Sequence, residues 1–406
     1  MEIEQLLLSL TIILVAAKLG AEAAHRIGQH AVLGELLAGV IVGNSVLKLI
    51  DGHDKTLHLF AELGAVLLLF EVGLECDLTQ MLRIGGAAMY VAVAGVVLPF
   101  ALGYGVGAAM GMPTEVAVFL GATLTATSVG ITARVFSDLN RLQTKEAQIV
   151  LGAAVADDVI GLIILAVVSG LAIRQTISAT EIAQVTATAV GFLVVTLVVG
   201  IWAAPQLLRI VARARTGGVL VGSALALCFT LSLLAAVSGL APIVGAFAAG
   251  LLLARTEHVE KLTARMQPIA EWLIPIFFVM LGAEMDLTTI NVSTELGRST
   301  LWLAALLFAV GVAGKVVGCG SLPTKSLNRA LIGIGMIPRG EVGLIFAKTG
   351  RQAEILDSAL FTAIVLMVMA TTLVTPPLLK FIIARAHASS PPTEPVELPD
   401  PPAEVV

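Results

Sequence analysis

Residues 147–168 read AQIVLGAAVADDVIGLIILAVV, an apolar stretch long enough to span a lipid bilayer, with two adjacent acids, Asp157 and Asp158, near its centre. A charged side chain at the centre of a spanning helix costs about 2.5–3.5 kcal/mol on insertion scales, and such residues mark ion or proton pathways. The pair therefore predicts a membrane protein that handles cations or protons within the bilayer.

The composition of the whole chain supports this prediction. The 406 residues are 57% hydrophobic and 13% charged, with a mean hydropathy of +0.97, which leaves too few polar groups to cover soluble domains. The net charge of −5 and the absence of a basic patch argue against a nucleic-acid partner. The three cysteines have neither disulfide nor metal-ligand spacing, which favours buried small hydrophobic side chains.

Apolar runs bounded by charges or by Gly/Pro clusters predict an all-α polytopic membrane protein with thirteen transmembrane helices. The predicted spans are 5–24, 31–50, 57–75, 85–111, 114–137, 147–172, 182–208, 218–238, 241–254, 269–285, 299–321, 327–349 and 357–383. Most Lys and Arg side chains fall in alternate loops, so the positive-inside rule predicts an external N-terminus and a cytoplasmic C-terminus in the inner (plasma) membrane. The Pro-rich residues 389–406 are predicted to form a disordered cytoplasmic tail after a transmembrane domain at 1–388.

Three short motifs recur in the same order in the two halves of the chain. They are VLGELLAG (32–39) with IVGAFAAG (243–250), GLECDL (73–78) with GAEMDL (282–287), and VGI (129–131) with VGL (342–344). Each pairing shifts by seven predicted helices, an odd number, so the halves are predicted to be inverted, with 182–208 as the linker. Chance similarity among Gly/Ala-rich helices is the alternative, but three matches in order favour a true repeat.

Two predicted helices at matching positions carry helix-breaking chemistry. Residues 123–132 read TLTATSVGIT, whose hydroxyls can satisfy freed backbone groups. In the span 327–349, Pro338 removes an amide donor among several glycines. The pattern predicts two crossed discontinuous helices at mid-depth, with Arg339 and Glu341 compensating the helix dipoles.

Lys315 lies near the middle of the span 299–321 and completes a set of five deep charged residues with the two aspartates, Arg339 and Glu341. If all were ionised their sum would be −1, which one monovalent cation or one proton would neutralise. For Arg339 and Glu341, a structural role at the helix ends is at least as well supported as a direct role in transport.

Adjacent helical residues point about 100° apart, so one aspartate can pair with Lys315 while the other binds a dehydrated cation. Thr127 and Ser128 are candidates for neutral oxygen ligands. A proton and a cation would then compete for one carboxylate, which is sufficient for antiport. The alternative is a static buried ion-pair cluster, but one lysine cannot neutralise two adjacent acids.

Several motifs resemble the NapA-type sodium/proton antiporters of the monovalent cation:proton antiporter-2 family. They are ATSVGITAR (126–134), GAAVADDV (152–159), APIVGAF (241–247), GK (314–315) and PRGEVGL (338–344). The resemblance covers nearly the whole membrane region and implies an NhaA/NapA-like antiporter fold that forms a homodimer. It implies a core domain from about 57–172 and 269–383, and a dimerisation domain from about 5–50 and 218–254.

The resemblance also implies roles for individual residues. Asp158 would be the main carboxylate for the transported Na⁺, Asp157 would pair with Lys315, and Glu341 would neutralise helix ends. An Asp-Asp pair resembles the electrogenic branch, which moves two protons per sodium. Kef-type potassium efflux systems share the core but carry a cytosolic nucleotide-binding domain, for which the short tail leaves no room.

The sequence therefore predicts a secondary transporter that exchanges Na⁺ or Li⁺ for H⁺ by an elevator-like movement, without a cofactor and without enzymatic activity. K⁺/H⁺ exchange stays open, because one or two oxygen ligands do not define selectivity. A cation channel and an intramembrane aspartyl protease are alternatives of a different class. The protease fits poorly, because its carboxylates must face one another from separate helices.

Overall fold

The computed structural model describes residues 3–174, 179–212, 219–257, 259–284, 294–324 and 327–388, which are almost entirely helical. The predicted tail 389–406 lies outside the described residues. The first half contains α1 (Ile3–Arg26), α2 (Ala31–Val42), α3 (Lys55–Glu75), α4 (Leu78–Arg83), α5 (Gly85–Ala109), α6 (Thr114–Thr123), α7 (Val129–Asp138) and α8 (Lys145–Arg174). After α9 (Ala179–Ala212) come α10 (Val219–Val237), α11 (Pro242–Leu253), α12 (Val259–Ala283), α13 (Glu295–Gly320), α14 (Arg329–Gly335), α15 (Glu341–Gln352) and α16 (Ser358–Ala388).

Nine helices among these residues are long and apolar enough to cross a membrane, and α2, α6 and α11 are shorter apolar helices. The protein is thus an all-helical, multi-pass membrane protein. The prediction of such a fold from composition and span length is confirmed.

Two helix boundaries differ from the predicted spans, and one further helix is present. The span 31–50 is helical only to Val42, because the chain turns at Gly43 and the amides of Leu49 and Ile50 fold back to donate to the Val42 carbonyl. Helix α12 begins at Val259 rather than 269: its first turns are amphipathic, with Leu262 and Met266 buried, so hydropathy alone does not detect them. The short helix α4 was not predicted.

Two predicted spans are interrupted in the structure. The chain is not helical between the end of α6 at Thr123 and the start of α7 at Val129. It is again not helical between the end of α14 at Gly335 and the start of α15 at Glu341. The start and the end of the second interruption are displaced from those of the first by the same number of residues along the chain.

Four glycines allow helices to cross with their backbones in contact. A Cβ at Gly39 in α2 would clash with the Val279 carbonyl oxygen beside Gly282 in α12. In the same way, Gly73 in α3 meets the backbone of α11 at Gly250. Both crossings use residues of the motif pairs that recur in the sequence, and close packing of small residues is the usual means of association between membrane helices.

These crossings join helices of the predicted core domain to helices of the predicted dimerisation domain. The predicted core domain, 57–172 and 269–383, includes α3 and α12. In the structure these two helices pack most extensively against α2, α11 and each other, and share a hydrophobic cluster with α1 and α10. Residues of both helices, such as Leu68 and Phe278, also belong to a second hydrophobic cluster with residues of α7, α8 and α14, so α3 and α12 lie between two packing units.

Gly39→Ala is expected to destabilise the protein by about 1–3 kcal/mol, because the added methyl group has no room against the backbone of α12. The readout is the thermal unfolding temperature of the detergent-purified protein. Gly222→Ala in α10 is the matched control, since a Cβ there meets nothing within 4 Å. Equal unfolding temperatures for the two variants would contradict the close crossing.

Candidate ion-binding site

The two interruptions lie against each other and are joined by hydrogen bonds. The Ser128 amide donates to the Pro338 carbonyl oxygen at 2.7 Å. The Thr132 hydroxyl donates to the Gly335 carbonyl oxygen, also at 2.7 Å. The hydroxyl-rich segment of the first half thus supplies donors to carbonyl groups that the second interruption leaves outside a helix, which an apolar interior requires.

Gly340 is required at the closest point of this contact. A Cβ at this position would lie 2.7 Å from Ser128 Oγ and 2.8 Å from Ser128 Cβ. Since the Ser128 backbone is itself bonded to the second interruption, the serine has little freedom to move away. Any larger residue would therefore push the two interruptions apart.

Asp157 on α8 and Lys315 on α13 form an ion pair inside the protein. Lys315 Nζ lies 3.3 Å from Asp157 Oδ2, and the two side chains are 0% and 1% exposed. The structure thus brings together the predicted lysine and the first of the two predicted aspartates. A buried pair of this kind is strongly destabilised when one partner is lost.

A small residue on the neighbouring helix makes room for the lysine. A Cβ on Gly95 in α5 would lie 3.3 Å from Lys315 Nζ and 2.7 Å from Cys319 Sγ. Sequence reasoning did not identify Gly95 as part of the site. Its proximity to Lys315 depends on how α5 packs on α13, which hydropathy does not show.

The second oxygen of Asp157 is available for another partner. Oδ1 is buried and has no hydrogen-bond partner among the residues that the structure describes. Thr127 and Arg339 lie near enough to interact with the Asp157 carboxylate. A buried carboxylate with one oxygen on Lys315 and the other without a hydrogen-bond partner in the described structure is suited to binding and releasing a proton.

Asp158 has different surroundings from Asp157. It is half-buried, whereas Asp157 is almost fully buried. Thr127 and Ser128, the predicted neutral ligands, are both buried in the first interruption. The difference between the two acids agrees with the angle of about 100° between adjacent helical side chains.

Arg339 links the second interruption to the first. Its side chain is fully buried, with Nη1 donating to the Ala126 carbonyl oxygen at 2.5 Å and Nη2 to the Gly311 carbonyl oxygen at 3.5 Å. Ala126 lies in the first interruption, so a guanidinium on its carbonyl group compensates the partial negative charge there, while Gly311 belongs to the continuous helix α13. Glu341 begins α15, but its side chain lies outside the described part of the structure.

The site therefore contains the Asp157 carboxylate, a lysine and an arginine near the meeting point of two interrupted helices, and Asp158 is the next residue after Asp157 on α8. Its oxygen atoms come from carboxylates, hydroxyls and backbone carbonyls. Such hard oxygen donors suit alkali cations, and the ionisable groups suit proton exchange.

Comparison with known proteins agrees with this chemistry. The family model described as sodium/hydrogen exchanger, transmembrane, matches residues 10–385. The high-affinity Na⁺/H⁺ antiporter NhaS3 of Synechocystis is 40% identical, covering 97% of this chain and 93% of the relative. The Na⁺/H⁺-K⁺ antiporter GerN of Bacillus cereus is 35% identical, covering 92% of this chain and 95% of the relative.

The fold is also similar to a solved structure. The sodium proton antiporter MjNhaP1 from Methanocaldococcus jannaschii at pH 8 superposes with a TM-score of 0.67 over 95% of this chain and 99% of that chain, at 18% identity. The family model covers most of the chain, and the two relatives match over nearly their whole length. The chain therefore belongs to the sodium/hydrogen exchanger family of membrane antiporters.

Proposed function

We propose that this protein exchanges Na⁺, and also Li⁺, for H⁺ across the plasma membrane by secondary active transport. The observation that carries the proposal is the buried ion pair of Asp157 and Lys315, with Asp158 as the next residue on α8. The names of the relatives NhaS3 and GerN, and of MjNhaP1, a protein of similar fold, all include Na⁺/H⁺ antiport.

In this proposal Asp158 holds the dehydrated cation, with Thr127, Ser128 and nearby carbonyl groups as further oxygen ligands. A proton and a cation cannot occupy the Asp158 carboxylate together, so one replaces the other. The empty site would carry an additional negative charge through the membrane, at a cost of several kcal/mol. Only the occupied forms would therefore cross, which couples the two fluxes.

Asp157 would provide a second proton in each cycle. When Lys315 pairs with Asp157, the carboxylate is charged. When the pair opens, Asp157 can take up a proton and Lys315 loses its counter-charge. Exchange of one Na⁺ for the protons of both aspartates would move net charge, so we propose that transport is electrogenic.

For the membrane architecture we propose thirteen spans with an inverted repeat and two crossed discontinuous helices. The matched offsets of the interruptions and the paired glycine crossings support a repeat. Helix α9 would link the halves. The positive-inside rule continues to favour an external N-terminus and a cytoplasmic C-terminus.

We further propose that α5–α8 and α13–α16 form a moving domain that carries the site. Helices α1–α3 and α10–α12 would form a static frame that joins two protomers in a homodimer. This division assigns α3 and α12 to the frame, unlike the division expected from the sequence, because both helices pack closely with α2 and α11. An elevator-like shift of the moving domain would expose the site alternately to the two sides.

The alternative within the same class is K⁺/H⁺ exchange. The name of the relative GerN, an Na⁺/H⁺-K⁺ antiporter, includes K⁺. A channel would conduct cations without coupled proton movement. A protease is the weakest alternative, because Asp157 and Asp158 are neighbours on one helix and differ in burial.

The deciding experiment is transport in proteoliposomes that hold a pH-sensitive dye. Na⁺, Li⁺ and K⁺ are added in turn at several pH values. We expect Na⁺ and Li⁺, but not K⁺, to dissipate the pH gradient. Dissipation by K⁺ alone would favour the same-class alternative, cation uptake without proton movement would favour a channel, and no response to any cation would reject antiport.

Gly340→Ala is expected to lower Na⁺-driven proton flux about tenfold or more. A displacement of about 1 Å in a reaction site can lower a rate by about a hundredfold. Gly343→Ala, three residues further along, is the matched control. A Cβ at Gly343 makes only an ordinary contact of 3.4 Å with Val368 Cγ2. The same proteoliposome assay compares the two variants, and full activity of Gly340→Ala would contradict the tight contact with Ser128.

A further inference from the structure

Thr372 on α16 contacts the second interruption through a direct hydrogen bond. Its hydroxyl Oγ1 donates to the backbone carbonyl oxygen of Arg339 at 2.6 Å, and both residues are 1% exposed. Because the chain is not helical between 336 and 340, its carbonyl groups depend on donors from other elements. Thr372 supplies one of these donors.

The backbone that Thr372 holds belongs to the residue that reaches into the first interruption. Arg339 donates from Nη1 to the Ala126 carbonyl oxygen, and Ala126 is next to Thr127. The contacts thus form a chain from Thr372 through the Arg339 backbone and side chain to Ala126. A change at Thr372 can be transmitted along this chain to the segment that carries the proposed cation ligands.

The position of Thr372 in the second half resembles that of the aspartates in the first. Counted from the helix ends, Asp158 on α8 corresponds to Thr371 or Thr372 on α16. At the corresponding depth one half carries a carboxylate and the other a hydroxyl. A hydroxyl donates a hydrogen bond to a carbonyl without adding a charge to the membrane interior.

We propose that Thr372 is a positioning residue for cation binding, acting through Arg339 on the Ala126–Thr127 segment. The proposal rests on the proposed exchange function and adds a residue to it. Loss of the hydroxyl leaves the buried Arg339 carbonyl without this donor, so the second interruption shifts and the first one follows. The cation then binds less tightly.

Loss of the Thr372 hydroxyl is expected to weaken cation binding and to leave the movement of the domain unchanged. Helices α14 and α15 both pack on α16, so the Thr372–Arg339 bond lies within one packing unit. An elevator-like shift would leave that bond in place. The apparent KM for the cation therefore changes, while kcat stays nearly constant.

The test measures apparent KM and kcat for Na⁺ in proteoliposomes for wild type, Thr372→Val and Thr372→Ser. Valine has nearly the shape of threonine but no hydroxyl, and serine keeps the donor. We expect Thr372→Val to raise KM about tenfold with kcat within about twofold, the size expected when a buried carbonyl loses its hydrogen bond. Thr372→Ser is expected to restore KM to within about twofold of wild type.

Thr371→Val is the matched control, because the Thr371 hydroxyl donates to the Val368 carbonyl of its own helix at 2.8 Å. It loses a buried hydroxyl of the same kind, one residue away, without any contact to Arg339 through that hydroxyl. Its KM is expected to stay within about twofold of wild type. If Thr372→Val does not elute as a monodisperse protein, Thr372→Ala replaces it, with the same expected rise.

Three results would each overturn the role of Thr372. They are an unchanged KM in Thr372→Val, an equal rise of KM in Thr371→Val, and a KM in Thr372→Ser that stays as high as in Thr372→Val. A fall in kcat with KM unchanged would also overturn it, because that result indicates a defect in the movement step. Wild-type vesicles that exchange no cation would instead overturn the proposed function. The measurement on wild-type protein therefore distinguishes failure of the proposed function from failure of the proposed role of Thr372.

Discussion

Asp158→Asn is expected to lower Na⁺/H⁺ exchange by about a hundredfold or more while leaving the protein folded. Asparagine has the size of aspartate but cannot take up and release a proton, and it offers a dehydrated cation no negative charge. Removing the charged partner of a desolvated ion costs about 2–5 kcal/mol, which corresponds to this loss of activity. The measurement is Na⁺-driven dissipation of a pH gradient in proteoliposomes.

Asp357→Asn is the matched control for this variant. Asp357 is exposed before α16, and its carboxylate accepts a hydrogen bond from the Leu360 amide at 2.8 Å. Asparagine caps a helix about as well as aspartate, so neither folding nor transport should change. If Asp158→Asn retained more than half of the wild-type rate, Asp158 would not be the carboxylate that exchanges cation for proton.

The sequence predicted the central pair well because charge burial is costly. Two acids in the middle of a spanning helix require a partner, and Lys315 is a deep cation on another predicted span. The residues alone did not show which aspartate pairs with it, because neighbouring side chains differ only in direction. The packing of α8 on its neighbours places Asp157 toward α13.

The helix interruptions were also predictable from local chemistry. Hydroxyls at 123–132 and Pro338 among glycines both indicate backbone that leaves the helix. The contact between the two segments depends on residues that local chemistry does not identify. Gly340 is one of the glycines around Pro338, but its contact with Ser128 is visible only in the three-dimensional arrangement.

The packing of α3 and α12 was the least predictable feature of the fold. Apolar periodicity shows that a helix is buried but does not show which helix covers it. The glycines at 39, 73, 250 and 282 were visible in the sequence as repeated motifs, yet their role as crossing points appears only when the backbones are seen in contact. A glycine at the same depth in two different helices is therefore a useful sign of a crossing.

Lys315→Met is expected to lower the stability of the protein by about 3–5 kcal/mol, because it leaves the fully buried Asp157 without its counter-charge. Asp157→Asn is expected to have a similar cost, since it leaves the lysine unpaired. The double variant Asp157→Asn/Lys315→Met removes both charges, so it should be more stable than either single variant. A double-mutant cycle on thermal unfolding in detergent measures this coupling.

Lys18→Met in α1 is the control for loss of a lysine. Lys18 is exposed, and its ammonium lies 3.5 Å from the Glu271 carbonyl oxygen. An exposed contact of this kind contributes about 1 kcal/mol or less, so stability should hardly change. Additive losses in the Asp157 and Lys315 cycle would contradict an energetically important pair.

The same double variant tests whether Asp157 carries a proton in each cycle. In the proposed electrogenic cycle the wild type exchanges two protons for one Na⁺ and moves one net charge, so its rate should respond to an imposed membrane potential. Without a carboxylate at 157, only the Asp158 proton remains to be exchanged, and transport should become electroneutral. Exchange rates at zero potential and at a valinomycin-clamped potential are compared in proteoliposomes. A double variant that kept the potential dependence of the wild type would show that Asp157 only stabilises the site, and that the moving charge lies elsewhere.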